Sequence, residues 1–164
     1  MSRERTYAWA DPRELAEAAR RLDGLDFLRR IGSGDLPAAP AAATTGIVPV
    51  EVGDGYATFE FEPAEWHYNP IGSVHGGMIS TLADTALGCA VHTTLSAGTA
   101  YTSLDLTVKF TRAVTADSGR VRCEARVLSR GRRTATAEAH ITDGRGRVVA
   151  HAVTTCLLMP VEAG

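Results

Sequence analysis

Apolar positions change their spacing along the chain, and each change marks a change of secondary structure. Leu15, Ala18, Ala19 and Leu22 recur at helical spacing behind Asp11-Pro12-Arg13-Glu14. An acidic N-cap, a proline at the first helical position and an acid in the first turn make that a helix start. Leu25, Phe27, Leu28 and Ile31 extend the pattern until Gly32-Ser33-Gly34 and the run from Pro37 to Ala43 interrupt it, so a linker or loosely docked arm follows the helix. From Thr45 the period becomes two. Ile47, Val48, Val50 and Val52 lead into Gly53-Asp54-Gly55, and Tyr56 to Phe61 follow, which is the pattern of a hairpin. A loop carrying Pro63, Asn69, Pro70 and Gly72 then gives way to helical spacing over residues 76–94, at Met78, Ile79, Leu82, Ala83, Ala86, Leu87, Ala90 and Val91.

Strand-like runs follow at residues 100–113, 119–129, 133–142 and 147–159, joined by turns such as Ser129-Arg130-Gly131 and Asp143-Gly144-Arg145-Gly146. Alternation is clearest where Val121, Cys123, Ala125 and Val127 interleave with Arg120, Arg122, Glu124 and Arg126. The order predicts an α+β architecture, an antiparallel sheet of about six strands wrapped around one long helix with an N-terminal helical extension. The organisation expected is an N-terminal helix and linker over residues 1–43 and one domain over residues 44–160.

Composition adds exclusions. Apolar residues make up 45% and charged residues 22%, ordinary for a globular domain. With 17 basic and 19 acidic side chains the net charge is -2, which gives no field to draw in nucleic acid or an anionic membrane, so neither partner is expected. Met-Ser-Arg-Glu-Arg-Thr-Tyr has no apolar core behind its charges, and no uninterrupted apolar run reaches the roughly eighteen residues of a membrane span, so a cytoplasmic location is expected. Cys89, Cys123 and Cys156 are widely spaced and odd in number, fitting buried thiols better than a disulfide framework or a zinc site, and no metal is expected. Gly-x-Ser-x-Gly, His-Glu-x-x-His and Gly-x-x-x-x-Gly-Lys-Ser/Thr are all absent, which removes the serine hydrolase, metalloprotease and nucleotide hydrolase readings. Cys89 and His92 stand at i, i+3 on one helix, and small core residues describe them better than a cysteine nucleophile does.

One charge stands apart. Between Glu65 and Asp105 the sole Asp, Glu, Lys or Arg is Asp84, in the middle of the long helix. Its stripe carries Gly77, Ser80, Thr81 and Gly88, not the Lys, Glu and Arg of a solvated face, so the carboxylate is expected to be largely buried. Burying an unpaired charge costs several kcal/mol, so such a residue serves either a hydrogen-bonded structural role or catalysis. Upstream, Asn69-Pro70-Ile71-Gly72-Ser73-Val74-His75-Gly76-Gly77 feeds directly into the helix. Free N–H groups at a helix N-terminus, with glycines that let a substrate approach, can form an oxyanion hole.

Taken together, Asn69-x-x-Gly72-x-x-His75-Gly76-Gly77, Leu82-Ala83-Asp84, and Ser103-x-Asp105-Leu106 ahead of Phe110-Thr111-Arg112-Ala113 resemble the phenylacetate-degradation (PaaI-type) branch of the hot-dog-fold acyl-CoA thioesterases. The resemblance covers about residues 44–159. It implies a hot-dog fold and hydrolysis of an acyl-CoA thioester, with coenzyme A entering only as part of the substrate and no separate cofactor. It places the Gly76 N–H on the thioester carbonyl oxygen, His75 and Asn69 as shapers of the same loop, and Asp84 as nucleophile or general base. Ser103 falls where the family has a water-positioning hydroxyl, and Thr102 takes that place if the loop is shifted by one residue.

Helix geometry adds a constraint. Gly76 and Asp84 are eight residues apart, about 12 Å along one axis at 1.5 Å per residue, so one carbonyl cannot touch both. A shared site therefore needs two chains related by a two-fold axis, at least a homodimer; a homotetramer, as a dimer of dimers, is the further assembly expected, which no motif decides. For the phosphates of coenzyme A, Arg112 and the turn group Arg130, Arg132 and Arg133 are the candidate contacts. The arginines that alternate with apolar residues read as a solvated strand face. A non-catalytic acyl-CoA or fatty-acid binding module is the competing reading, against which Asp84 argues. A hot-dog hydratase, which pairs an acid with a His on an enoyl group, fits less well because His75 precedes the helix.

Overall fold

The computed structural model describes residues 2–161. Helices α1 (Pro12–Arg21), α2 (Gly24–Ser33) and α3 (Pro40–Thr45) precede the hairpin β1 (Val48–Gly53) and β2 (Tyr56–Phe61), the long helix α4 (Gly76–His92), and then β3 (Thr99–Ser103), β4 (Thr107–Phe110), β5 (Val121–Arg130), β6 (Thr134–Thr142) and β7 (Val148–Pro160). Single 3-10 turns lie at Glu65–His67 and Ala116–Ser118. The strands form one sheet in the order β1-β2-β5-β6-β7-β3, with β4 also beside β7. Every pairing is antiparallel.

The sheet wraps α4, whose apolar side fills the core. Leu82, Ala83, Ala86, Leu87, Ala90 and Val91 are fully buried and pack with Phe59, Phe61, Val121, Cys123, Ala139, Ile141 and Cys156 from the concave face. Alternation along β5 runs as its sequence requires, with Val121, Cys123 and Ala125 inward. Arg120, Arg122 and Arg126 lie on the outer side, paired with Glu60, Glu124 and Glu138 at 2.7, 3.2 and 2.6 Å.

The run at 100–113 is two strands, not one. Ser103 pairs with Cys156 but Thr107 pairs with Val153, so three residues face two across the break and the inward parity switches from odd to even. Asp105 holds this bulge: its Oδ1 accepts the Thr155 N–H at 2.9 Å and its carbonyl accepts Thr154 Oγ1 at 2.6 Å. The sheet is thus six strands wide, its last position shared by β3 and β4.

The N-terminal part also departs from the sequence pattern. Asp11 caps α1 by accepting the Arg13 N–H at 3.0 Å, but the helical stretch stops at Leu22, whose ψ is 150°. The following turn is used for docking. Gly24 N–H donates to Leu95 O at 2.9 Å, and Asp23 Oδ1 accepts the Ala97 N–H at 2.9 Å, so α2 starts afresh against the end of α4. The alanine-rich stretch, where the sequence pattern predicts a linker, forms α3, ended by Gly46 at φ 76°. Ahead of these helices Arg5 donates to Thr44 O at 2.6 Å and lies 3.6 Å over the Trp66 ring.

Two glycines of α2 predict opposite stability changes. A Cβ on Gly24 would stand 1.8 Å from the His92 carbonyl oxygen, whereas one on Gly32 meets nothing within 4 Å. Gly24→Ala is expected to destabilise by about 1–3 kcal/mol through overpacking, and Gly32→Ala to stabilise by up to about 1 kcal/mol through helix propensity. Thermal unfolding of the two variants reads both signs.

Candidate active site

The loop that enters α4 is tied at every point but one. Asn69 Oδ1 accepts the N–H groups of Ile71 at 3.1 Å and Ser73 at 3.2 Å, and its Nδ2 donates to Ser73 Oγ at 3.1 Å. Asn69 therefore shapes the loop from within. Val74 N–H donates to Val114 O, and His75 N–H to His67 O, each at 2.8 Å. His67 itself is buried, accepting the Ala64 N–H at Nδ1 and donating from Nε2 to Thr45 O. Burial lowers its pKa from the usual imidazole range, which keeps it in the neutral form that this pair of bonds needs.

His75 is the N-cap of α4. Its Nδ1 accepts the Gly77 N–H at 2.8 Å, so any proton on the neutral ring sits on the exposed Nε2. Met78 N–H donates to His75 O at 2.9 Å. The Gly76 N–H donates to no group among the described residues, and it points from the positive end of a seventeen-residue helix. Phe110 covers this glycine, its ring 3.1 Å from where a Cβ would stand. Ser73, Gly76, Ile79, Phe110 and Arg112 line a groove of about 360 Å³ there.

Asp84 lies two turns further along α4. It is exposed, contrary to the burial its charge-poor stripe suggests. The reason is its place in the fold: β3 is the last strand of the sheet, and Asp84 looks out past that margin. The Ser103 hydroxyl donates to Asp84 Oδ1 at 2.9 Å. Register decides which hydroxyl does so, because Ser103 stands opposite the buried Cys156 on the helix side while Thr102 stands opposite Leu157 on the other. The structure thus joins Asp84 to Ser103 and Asn69 to the His75-Gly76 loop, but does not bring these two halves together within one chain.

The candidate phosphate contacts divide in the same way. Arg112 is exposed and shares a cleft of about 310 Å³ with Asp117, Arg145 and Arg147, next to the Gly76 groove. Arg147 is committed to Asp143 at 2.7 Å. Arg145 is a further candidate that the sequence pattern does not reveal, since it reaches the cleft where Gly144 packs on Ser118 and Gly119. Arg130, Arg132 and Arg133 are exposed in the β5–β6 turn. Arg130 lies on the row that runs through Ala135 and Cys156 to Ser103, so this turn belongs to the Asp84 half.

The thiols are not nucleophiles in waiting. Cys89 is pushed up to about 12 by burial, with the Asp84 charge adding to the effect, and burial likewise raises Cys156. His92 is buried and held below the usual imidazole range by that burial. No group of three or more His, Cys, Asp or Glu side chains that could hold a metal ion occurs among the described residues.

Comparison with known proteins agrees with this architecture. Residues 71–150 match the family model described as "Thioesterase superfamily". A conserved protein of Pseudomonas aeruginosa is 33% identical, with a TM-score of 0.70 over 74% of this chain and 95% of its own. A putative thioesterase from Ralstonia eutropha, described as phenylacetic acid degradation-related, is 30% identical, with a TM-score of 0.72 over 79% of this chain and 97% of its own. The Escherichia coli PaaI protein, at 21% identity, shares the fold with a TM-score of 0.73 over 86% of this chain and 99% of its own. A search of curated proteins returned no match. The chain belongs to the thioesterase superfamily, as a hot-dog thioester hydrolase of the PaaI type.

The turn that carries Arg145 gives a pH prediction. Asp143, 4% exposed, is lowered from 3.8 to about 2, chiefly by its hydrogen bond with Arg147, with burial opposing. A depressed carboxylate stabilises the fold above its unfolded value and loses that contribution as pH falls through the folded one. Stability is therefore expected to drop between pH 3.8 and about 2, and Asp143→Asn to remove that part of the drop in acid-unfolding curves.

Proposed function

We propose that the chain hydrolyses acyl-CoA thioesters to a carboxylic acid and free coenzyme A, in a site built by two copies. The observation that carries the reading is the 2.9 Å Ser103–Asp84 hydrogen bond on an open helix face. It supplies a charged base or nucleophile beside a hydroxyl that can orient water. The oxyanion donor is the Gly76 N–H of the partner subunit, because eight residues of helix hold the donor and carboxylate of one chain about 12 Å apart. In the general-base form, Asp84 draws a proton from water held by Ser103, and the water oxygen attacks the thioester carbon. The developing oxyanion is taken by the N–H, and collapse of the intermediate expels the thiolate. In the nucleophilic form Asp84 attacks first and water hydrolyses the anhydride.

A two-copy site also accounts for the division of the arginines. Arg112 would come with Gly76 from one chain, and Arg130, Arg132 and Arg133 with Asp84 from the other, so both groups can border one bound coenzyme A. The closed unit is a dimer with two equivalent sites, and a tetramer would be two such units. The acyl group is of the aryl or phenylacetyl type by family likeness.

Free-thiol release from a panel of phenylacetyl-, aryl- and fatty acyl-CoAs tests the chemistry. Asp84→Asn is expected to abolish turnover, and equal rates in variant and wild type would sink the assignment. Tight acyl-CoA binding without turnover would favour the binding-module reading. Gly76→Pro removes the N–H at a helix position where proline is accommodated, with the Phe110 ring, 3.1 Å from the added Cβ, yielding slightly, and is expected to lower the rate about 100- to 1000-fold.

Mixing the two variants tests the shared site. Chains exchanged freely between Asp84→Asn and Gly76→Pro give hybrids in half the dimers, each with one intact site, so about a quarter of the wild-type activity should return. A site contained in one chain would recover none.

A further inference from the structure

Exposure along the stripe of α4 changes abruptly beyond Asp84. Gly77 and Asp84 are exposed, whereas Gly88, one turn later on the same face, is buried. Tyr101 covers it. Residues two apart on a strand share a side, so as β3 presents Ser103 to Asp84 it lays Tyr101 on Gly88. A Cβ on Gly88 would stand 2.8 Å from Tyr101 Oη and 2.9 Å from the ring. Glycine at that interior helix position is what lets the ring down onto the backbone.

The ring is braced from behind. His92 lies 5.3 Å from Tyr101, centroid to centroid, and Phe27 of α2 lies 5.3 Å from His92. Across the sheet Tyr101 stands opposite Leu158, which is 6% exposed. These surroundings are mainly apolar: burial lowers the His92 pKa from the usual imidazole range, and burial, with the nearby Asp84 charge adding to it, raises the Tyr101 phenol well above its usual value. Such a wall suits the hydrocarbon end of a substrate and not its phosphates, which have exposed arginines elsewhere.

We propose that Tyr101 closes the acyl channel about one helical turn, roughly 5.4 Å, beyond Asp84, and sets the longest acyl group the enzyme hydrolyses, with His92 and Phe27 as positioning residues. This gives α2 a part in specificity, and it rests on the acyl-CoA reading above.

The test measures kcat/KM over straight-chain acyl-CoAs of increasing length, for the wild type, Tyr101→Leu and Tyr101→Ala. The leucine variant keeps an apolar contact on His92 should the alanine variant fail to fold. The length cut-off is expected to move to longer chains, by about tenfold or more in kcat/KM for each newly accommodated methylene, and further in alanine than in leucine. Phe27→Ala should move it in the same direction by less. An active wild type with an unmoved cut-off in the Tyr101 variants, or a uniform loss of rate at every length, overturns this inference alone. No thiol release by the wild type on any acyl-CoA overturns the acyl-CoA reading and this inference with it.

Discussion

The rise of a single α-helix sets the terms for everything else in the molecule. Gly76 opens α4 and Asp84 sits eight residues on, and an α-helix neither stretches nor bends enough to bring them to one atom. The sheet makes this separation rigid, because half the circumference of α4 is locked into the core by Leu82, Ala83, Ala86, Leu87, Ala90 and Val91. A donor at Gly76 and a base at Asp84, as proposed, could not serve one carbonyl within one chain. In the proposed two-copy site, the antiparallel alignment of two such helices converts the same fixed distance from an obstacle into a ruler.

The chain spends its polar groups accordingly. Around the N-terminus of α4, Asn69 satisfies its own loop, His67 links Thr45 to that loop, and His75 caps Gly77. Each removes a competitor for the Gly76 N–H, which leaves one strong donor facing the groove. At the other end Ser103 is the sole hydrogen-bond donor to Asp84 among the described residues. Among the described residues Asp84 accepts one hydrogen bond, from Ser103, and the Gly76 N–H meets no acceptor, so neither partner of the proposed reaction is already taken up within the chain. The N-terminal helices add rigidity where the sheet does not reach, since Gly24, Asp23 and Arg20 all bond the loop that links α4 to β3.

Much of this could be read from residue order. The hairpin, the long helix and the alternation of β5 follow from hydrophobic period alone, and the motif from Asn69 to Gly77 with Asp84 and Ser103 located the candidate site. What could not be read has physical causes. The break at Leu104–Leu106 is a change of parity, visible only once Tyr101 and Ser103 are set against Val108 and Phe110 as the inward residues. Helix α3 is a single short turn run that Arg5 holds by its carbonyls, a contact between segments far apart in sequence. Phe110 reaches the groove, and Arg145 the cleft beside it, through turns and strand pairings that no local pattern encodes.

Asp84 is the instructive case, because the sequence argument was sound and its conclusion was still wrong for one chain. A stripe of Gly77, Thr81, Asp84 and Gly88 lacks the charges that make a helix face comfortable in water, and so implies that something covers it. Among the described residues little does: Tyr101 lies on Gly88, and Ser103 reaches Asp84, which stays exposed. In the proposed two-copy site this composition fits burial in the assembly and not in one chain. On that reading the carboxylate is solvated while the chain is alone and loses water when the partner arrives. That desolvation costs several kcal/mol unless hydrogen bonds replace the water, and Ser103 is already in place to supply one. In that proposed site the same exclusion of water would strengthen the attraction between the developing oxyanion and the partner's N–H, so the surface that would drive association and the field that would drive the chemistry are one feature of α4.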